Sequence, residues 1–250
     1  MILFIYSPDE SIDESTADSI YRAIPIGEKK NILMIIHSSG GSVEPAYLIS
    51  NCCKEYSKKF VIVIPRKAKS AATLISLGAD EIHMGIMSEL GPIDPQINLL
   101  PALGLTNAVE YLASLCTKYP EAGDMFAKYL SAKLDLRVLG YFNRVTESAA
   151  QYAERLLIGK ELPSNYKYKD IAWQFVYAYK DHNFVIDSKE AQKFLGKHIK
   201  TNSEEYLLGN EIHNFINILN ILLKIFDFNK SILIIGDLEK GFRFISIDKK

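Results

Sequence analysis

The chain has 250 residues, of which 48% are hydrophobic, 11% aromatic and 24% charged. That length exceeds one typical domain and buries a sizeable core without staples, and the composition excludes a disordered, collagen-like or low-complexity chain. With 29 basic against 30 acidic residues, a formal net charge of -1, no global field draws the molecule to nucleic acid or to an anionic membrane.

In chain order, residues 2–6 read as a strand. Residues 13–22 read as a helix with acidic side chains in its early turns, where the helix dipole favours them. Residues 32–37 are a continuous apolar run that enters Ser-Ser-Gly-Gly, a buried strand followed by a tight turn. A helix is predicted over 44–56, a dense β-branched strand over 60–65, a short helix over 70–78 and a strand over 81–84. This alternation implies a parallel sheet layered with helices. Further helices are predicted over 107–118, 122–134, 140–159, 170–179 and 189–196. One long helix follows over 204–227, apolar on nearly all faces after Phe215. Strands over 231–235 and 241–247, around a turn near Gly236-Asp237, end the series.

The three cysteines make no disulfide framework: Cys52 and Cys53 are adjacent, Cys116 is alone, and no CxxC pair is present. Reduced thiols in a cytoplasmic protein are the expectation. The first residues lack the basic region and the apolar length of a signal peptide. The uncharged run 212–223 is too short to span a bilayer, so no integral membrane segment is expected. The histidines show no metal-ligand spacing, and no metal or cofactor is implied.

Two segments carry chemistry. In His37-Ser38-Ser39-Gly40-Gly41-Ser42-Val43 a strand end becomes a glycine turn and then a helix. Adjacent glycines leave backbone N–H groups exposed, although a plain strand-to-helix turn needs the same residues. In the run 65–74, Ser70 opens a helix directly after a buried strand. There it is either an N-cap or a nucleophile in a field that stabilises a developing anion. Arg66, Lys67 and Lys69 precede it, read as a solvated face with a preference for acidic peptide as the alternative.

The order strand, Gly-Gly, helix, strand, Ser, helix, strand resembles that of the Clp protease and crotonase superfamily. Gly40-Gly41-Ser42-Val43 resembles the PGGSV turn of the Clp proteolytic subunit, with Ser39 in place of proline. Residues 68–72 resemble its nucleophile segment. The chain is more similar still to the serine dehydrogenase proteinase family, relatives of signal peptide peptidase A. The similarity runs through residues 35–41, 68–84, the specific run Leu90-Gly91-Pro92-Ile93-Asp94-Pro95-Gln96, and residues 182–191, covering roughly 30–200. It implies a serine hydrolase with Ser70 as nucleophile and the Gly41 and Ala71 N–H groups as oxyanion hole, with Gly40, Ser42 and Val43 against the substrate.

The base is open. The Clp subunit carries a histidine on the strand after the nucleophile helix, but residues 88–95 hold none, and His83 lies too early and reads as structural. Signal peptide peptidases use a lysine, which serves only where burial frees a neutral amine. Of Lys118, Lys128 and Lys133, Lys133 is chosen because it precedes the long helix. His182 is the rival, beside Asn183, which stands where the Clp acid aligns.

The expected fold is therefore α/β, a Clp/crotonase-like spiral of ββα units with a mostly parallel sheet. It comprises a peptidase domain over residues 1–200 and a helix-plus-hairpin appendage over 201–250. The expected function is a serine peptidase of the Ser-Lys dyad type, cleaving peptide or protein substrates through an acyl-enzyme without ATP, since no GxxxxGK[ST] loop is present. The alternatives are an inactive scaffold on the same fold and a crotonase-like acyl-CoA enzyme. The long C-terminal helix has too many apolar faces for one contact, so a homo-oligomer is expected, with peripheral membrane contact as the alternative use of that surface.

Overall fold

The computed structural model describes residues 1–246 apart from residues 8–9, 26, 28, 98–99, 227 and 229. Residues 227 and 247, the predicted ends of the last helix and strand, lie outside the described residues. The first part runs β1 (Ile2–Ser7), α1 (Glu14–Ala23), β2 (Lys30–Ser38), α2 (Val43–Tyr56), β3 (Ser57–Ile64), β4 (Lys67–Ala68), α3 (Ala71–Leu77), β5 (Glu81–Met84) and β6 (Glu89–Leu90). A small hairpin, β7 (Gln96–Ile97) and β8 (Leu100–Pro101), leads into α4 (Ala102–Lys118), α5 (Gly123–Lys133) and α6 (Leu136–Leu157). Next come α7 (Tyr168–Trp173), α8 (Ser188–Leu195), β9 (Ile199–Thr201), α9 (Glu204–Ile225), β10 (Lys230–Gly236), α10 (Leu238–Gly241) and β11 (Phe242–Ser246).

The main sheet has the order β11-β10-β1-β2-β3-β5-β9, and β4 pairs with both β2 and β6. Pairing is parallel throughout except for β10, which is antiparallel to β1 and to β11. The dense apolar runs follow from burial on both faces. Leu3, Ile5, Ile32, Met34, Ile36, Phe60, Ile62 and Ile64 face a large core completed by α1, α2, α3 and α6. Phe4, Tyr6, Ile35 and Val63 face the opposite way, against Ile216 of α9 and Ile232 and Ile234 of β10. The helix comes close to the sheet at Gly209, where an added Cβ would stand 2.4 Å from Val63 Cγ1.

The C-terminal segment, expected as an appendage, continues the same sheet. β10 lies beside β1 with Phe4 opposite Gly236 and Tyr6 opposite Ile234. The physical reason is that β1 is apolar on both faces and needs a neighbour along its free edge. The predicted helix over 170–179 is two pieces, α7 and a π-helical turn at Gln174–Ala178. That turn puts the Phe175 carbonyl 2.8 Å from the Ile93 N–H. β4, β6 and β9 are two or three residues long, too short to show a period of two.

Candidate active site

The site forms where β2 and β4 end side by side. Ser38 at the end of β2 accepts a hydrogen bond on its hydroxyl from the Gly40 N–H (3.1 Å), and its carbonyl accepts from the Lys69 N–H (3.1 Å). Gly40 then turns with φ +108°. A Cβ there would lie 2.7 Å from the Lys69 carbonyl oxygen, 2.8 Å from Ser70 Cβ and 3.2 Å from the Ala71 nitrogen. Glycine is thus demanded both by the conformation and by the approach of the second segment. At Gly41 the reason is proximity alone: a Cβ would stand 2.3 Å from the Ile12 nitrogen and oxygen. Ile12 clasps the turn, donating to Gly40 O (2.9 Å) and accepting from Ser42 N (2.8 Å).

Ser70 has φ 49° and ψ -116°, a conformation that favours glycine, and is only 6% exposed. Such strain persists only where the surroundings impose it. The N-cap alternative does not describe it, because its side chain makes no capping hydrogen bond. α3 behind it is buried at every residue. The Thr73 hydroxyl lies 2.7 Å from the Ala68 carbonyl and 2.8 Å from that of Gly91, and accepts from the Gly91 N–H (3.1 Å). It thereby locks the segment that bears Ser70 to the run that carries Asp94.

In front of Ser70 lies a cleft of about 630 Å³. Of the residues expected from sequence, Ser70, Gly40, Gly41, Ser42, Val43 and His182 all line it. Ala71 is fully buried immediately behind. The remaining wall includes Glu10, Glu44, Tyr141 and Pro95.

His182 arrives on the loop between the π-helical turn and α8. Its Nδ1 stands 3.7 Å from Oδ2 of Asp94, whose side chain is 7% exposed. Both His182 Nδ1 and Asp94 Oδ1 are buried without a hydrogen-bond partner among the described residues. At 3.7 Å the pair is beyond hydrogen-bond distance. The Ser70 hydroxyl likewise has no hydrogen-bond partner among the described residues.

Lys133 is not brought to this site. It is exposed at the end of α5, a surface helix with no buried residue, and is absent from the cleft lining. Lys118 and Lys128 are exposed as well. The cations before Ser70 are engaged rather than forming a solvated face. Arg66 bonds Asn210 (2.7 Å), Lys67 bonds the Ser39 hydroxyl (2.9 Å), and Lys69 pairs with Glu89 (3.2 Å). His83 is structural, 2.6 Å from the Ser203 hydroxyl. Among the described residues no group of three His, Cys, Asp or Glu side chains could hold a metal ion.

Asp94, which the sequence expectations do not include, lies inside the specific run 90–96 between Pro92 and Pro95, and its place in that run is the signal for it, since it is 88 residues from the histidine it faces. The rings of Tyr6, His37 and His213 pack against one another in tilted and edge-on contacts, with the Tyr6 hydroxyl 2.9 Å from His213 Nδ1. Burial, then His213 and the cations Lys67 and Arg66, pushes His37 down to about 3. Burial and Arg66 push His213 down to about 4.

Residues 5–115 match the ClpP-like SDH-type serine proteinases. An uncharacterised protein of Methanocaldococcus jannaschii is 40% identical over 95 residues, which are 38% of this chain and 33% of that protein. The matches thus span about a third of the length of the curated relatives. Among solved structures, a serine-to-alanine mutant of the 1510-N membrane-bound stomatin-specific protease superposes with a TM-score of 0.51 at 16% identity, covering 88% of this chain and 83% of its own. A lysine-to-alanine mutant of the same protease, in complex with a substrate peptide, gives 0.51 at 15%, covering 98% and 85%. At these identities the likeness shows the shared fold. Over residues 5–115 this chain is similar in sequence to the ClpP-like SDH-type serine proteinases, and it has the mostly parallel α/β fold that its motifs led one to expect.

Proposed function

We propose that the protein is a serine peptidase whose nucleophile is Ser70, whose base is His182 and whose acid is Asp94. The observation that carries this reading is the cleft itself: a strained serine and a histidine share it, and the histidine faces a buried carboxylate. Asp94 holds the tautomer with the proton on Nδ1, leaving Nε2 to take the Ser70 proton as Oγ attacks the peptide carbonyl. The oxyanion is received by the N–H groups of Gly41 and Ala71, which have no acceptor among the described residues. Collapse of the tetrahedral intermediate passes the proton from His182 to the leaving amine and leaves an acyl-Ser70. Water then attacks that ester, again with His182 as base, and frees the carboxylic acid and Ser70.

Lys133, exposed and away from the cleft, lacks the desolvation that a lysine base requires. The substrate is a peptide or protein, and the reaction needs no nucleotide. The working form is a homo-oligomer, since α9 leaves Phe215, Ile218, Ile221 and Ile225 each more than half exposed. Among the described residues no helix is long and apolar enough to cross a membrane.

A fluorophosphonate probe tests the assignment. Labelling should vanish in Ser70→Ala, fall by about 10²-fold or more in His182→Ala, and stay unaltered in Lys133→Ala. Labelling lost in Lys133→Ala and retained in His182→Ala overturns the base assignment in favour of a dyad. No labelling of the wild-type chain leaves the inactive scaffold or the acyl-CoA enzyme as the reading.

A further inference from the structure

Lys69 precedes Ser70 in the chain, yet it is 9% exposed. Its stem passes directly over Gly91, where an added Cβ would stand 2.4 Å from Lys69 Cδ. Its ammonium has three donors, and three acceptors surround it: Glu89 Oε2 at 3.2 Å, the Phe184 carbonyl at 3.1 Å and the Asn183 carbonyl at 3.4 Å.

Those two carbonyls belong to the residues that follow His182. The far end of the same loop is tied to β6 by a pair of hydrogen bonds between Leu90 and Ile186, at 2.9 and 3.0 Å. One cation therefore stands at the junction of the segment that bears the serine, the run 89–94 that leads to Asp94, and the loop that bears His182. A loop of this kind has backbone carbonyls that must find donors, and an apolar residue at position 69 would leave two of them bare.

We propose that Lys69 is a positioning residue: it draws the loop of His182 toward the nucleophile segment and sets the imidazole against Asp94 over Ser70. The inference rests on His182 acting as the base. It also explains why this lysine, the nearest in sequence to the serine, is not itself the base, for its ammonium is committed to the loop and to Glu89.

The test is a double-mutant cycle read as the rate of fluorophosphonate labelling of Ser70 and as p-nitrophenyl acetate turnover. Lys69→Met should lower the labelling rate and kcat by about 10–100-fold with KM little changed, since displacement of a catalytic group by about 1 Å costs on that order. In a His182→Ala background the same substitution should cost less than about threefold, because its effect passes through the missing imidazole. Lys69→Arg, which keeps the cation, should recover much of the loss. Gly91→Ala and Glu89→Gln disturb the same lysine without removing it, should show the same dependence on His182, and carry the cycle if Lys69→Met does not fold. Equal losses with and without His182, or no loss, would overturn the positioning role while leaving the base assignment intact. A His182→Ala chain that labels at the wild-type rate overturns the base assignment, and the positioning role with it.

Discussion

Replacement of Gly40 by alanine is a sharp perturbation of this site. The new methyl would meet the Lys69 carbonyl oxygen at 2.7 Å and Ser70 Cβ at 2.8 Å. Neither atom is the end of a flexible chain, so the turn and the segment that bears Ser70 must move apart. The backbone at φ +108° adds strain, on the order of 1–3 kcal/mol for a residue other than glycine. Overpacking adds about 1–3 kcal/mol more. For a chain of this size that sum lowers Tm by roughly 4–24 °C. The rate of Ser70 labelling should fall by about 10²-fold if the separation approaches 1 Å. Gly140→Ala is the control: nothing lies within 4 Å of its Cβ, and inside α6 the change should stabilise by up to about 1 kcal/mol. Scanning fluorimetry and fluorophosphonate labelling read both quantities. A Gly40→Ala chain that matches the wild type in Tm and labelling would refute the close approach of the two segments.

Acid should unfold the protein through His37 and His213. Their folded values of about 3 and about 4 lie below the value of about 6.5 in an unfolded chain, so stability is intact above pH 6.5 and falls as pH drops toward 4. Each contributes up to about 1.4 kcal/mol per pH unit. His37→Phe, which breaks no hydrogen bond of the unpartnered Nδ1, should reduce the urea-measured loss between pH 7.5 and 5 by about 2 kcal/mol, and an unchanged loss would contradict this. Glu10 and Glu44 line the cleft whereas Arg66, Lys67 and Lys69 do not, so peptides bearing Lys or Arg should be cleaved in preference to acidic ones. Each Glu→Gln substitution should reduce that preference by about 2–5-fold at low salt, measured with matched fluorogenic peptides. Light scattering should find a homo-oligomer for the wild type and a monomer for Phe215→Glu with Ile218→Glu, with Tm not lowered, because both side chains are exposed within one chain.

The local parts of this architecture were legible. The runs 32–37 and 60–65 read as buried strands because both faces of the sheet are covered. The Gly-Gly turn and the serine after a strand announced themselves because each is one continuous segment. What joins distant segments was not legible. Asp94 and His182 are brought together by contacts between distant segments, among them the Leu90–Ile186 bridge, the π-helical turn and the bonds of Lys69, none of which has a periodic signature. The run Arg66 to Lys69 looked like a solvated face because composition does not say that the stem of Lys69 passes over a glycine. Lys133 was placed by its order in the chain, and order does not determine which way a surface helix turns a residue. The C-terminal strands were recognised as strands, but the partner of β10 lies at the opposite end of the sequence.

The central claim is that Ser70 is a nucleophile activated across this cleft. The most direct measurement is mass-spectrometric mapping of the site modified by a fluorophosphonate at neutral pH. A single adduct is expected on the peptide containing Ser70, formed at a rate that collapses in His182→Ala and in Asp94→Asn. An adduct elsewhere that persists in Ser70→Ala, or no adduct at all, would contradict it.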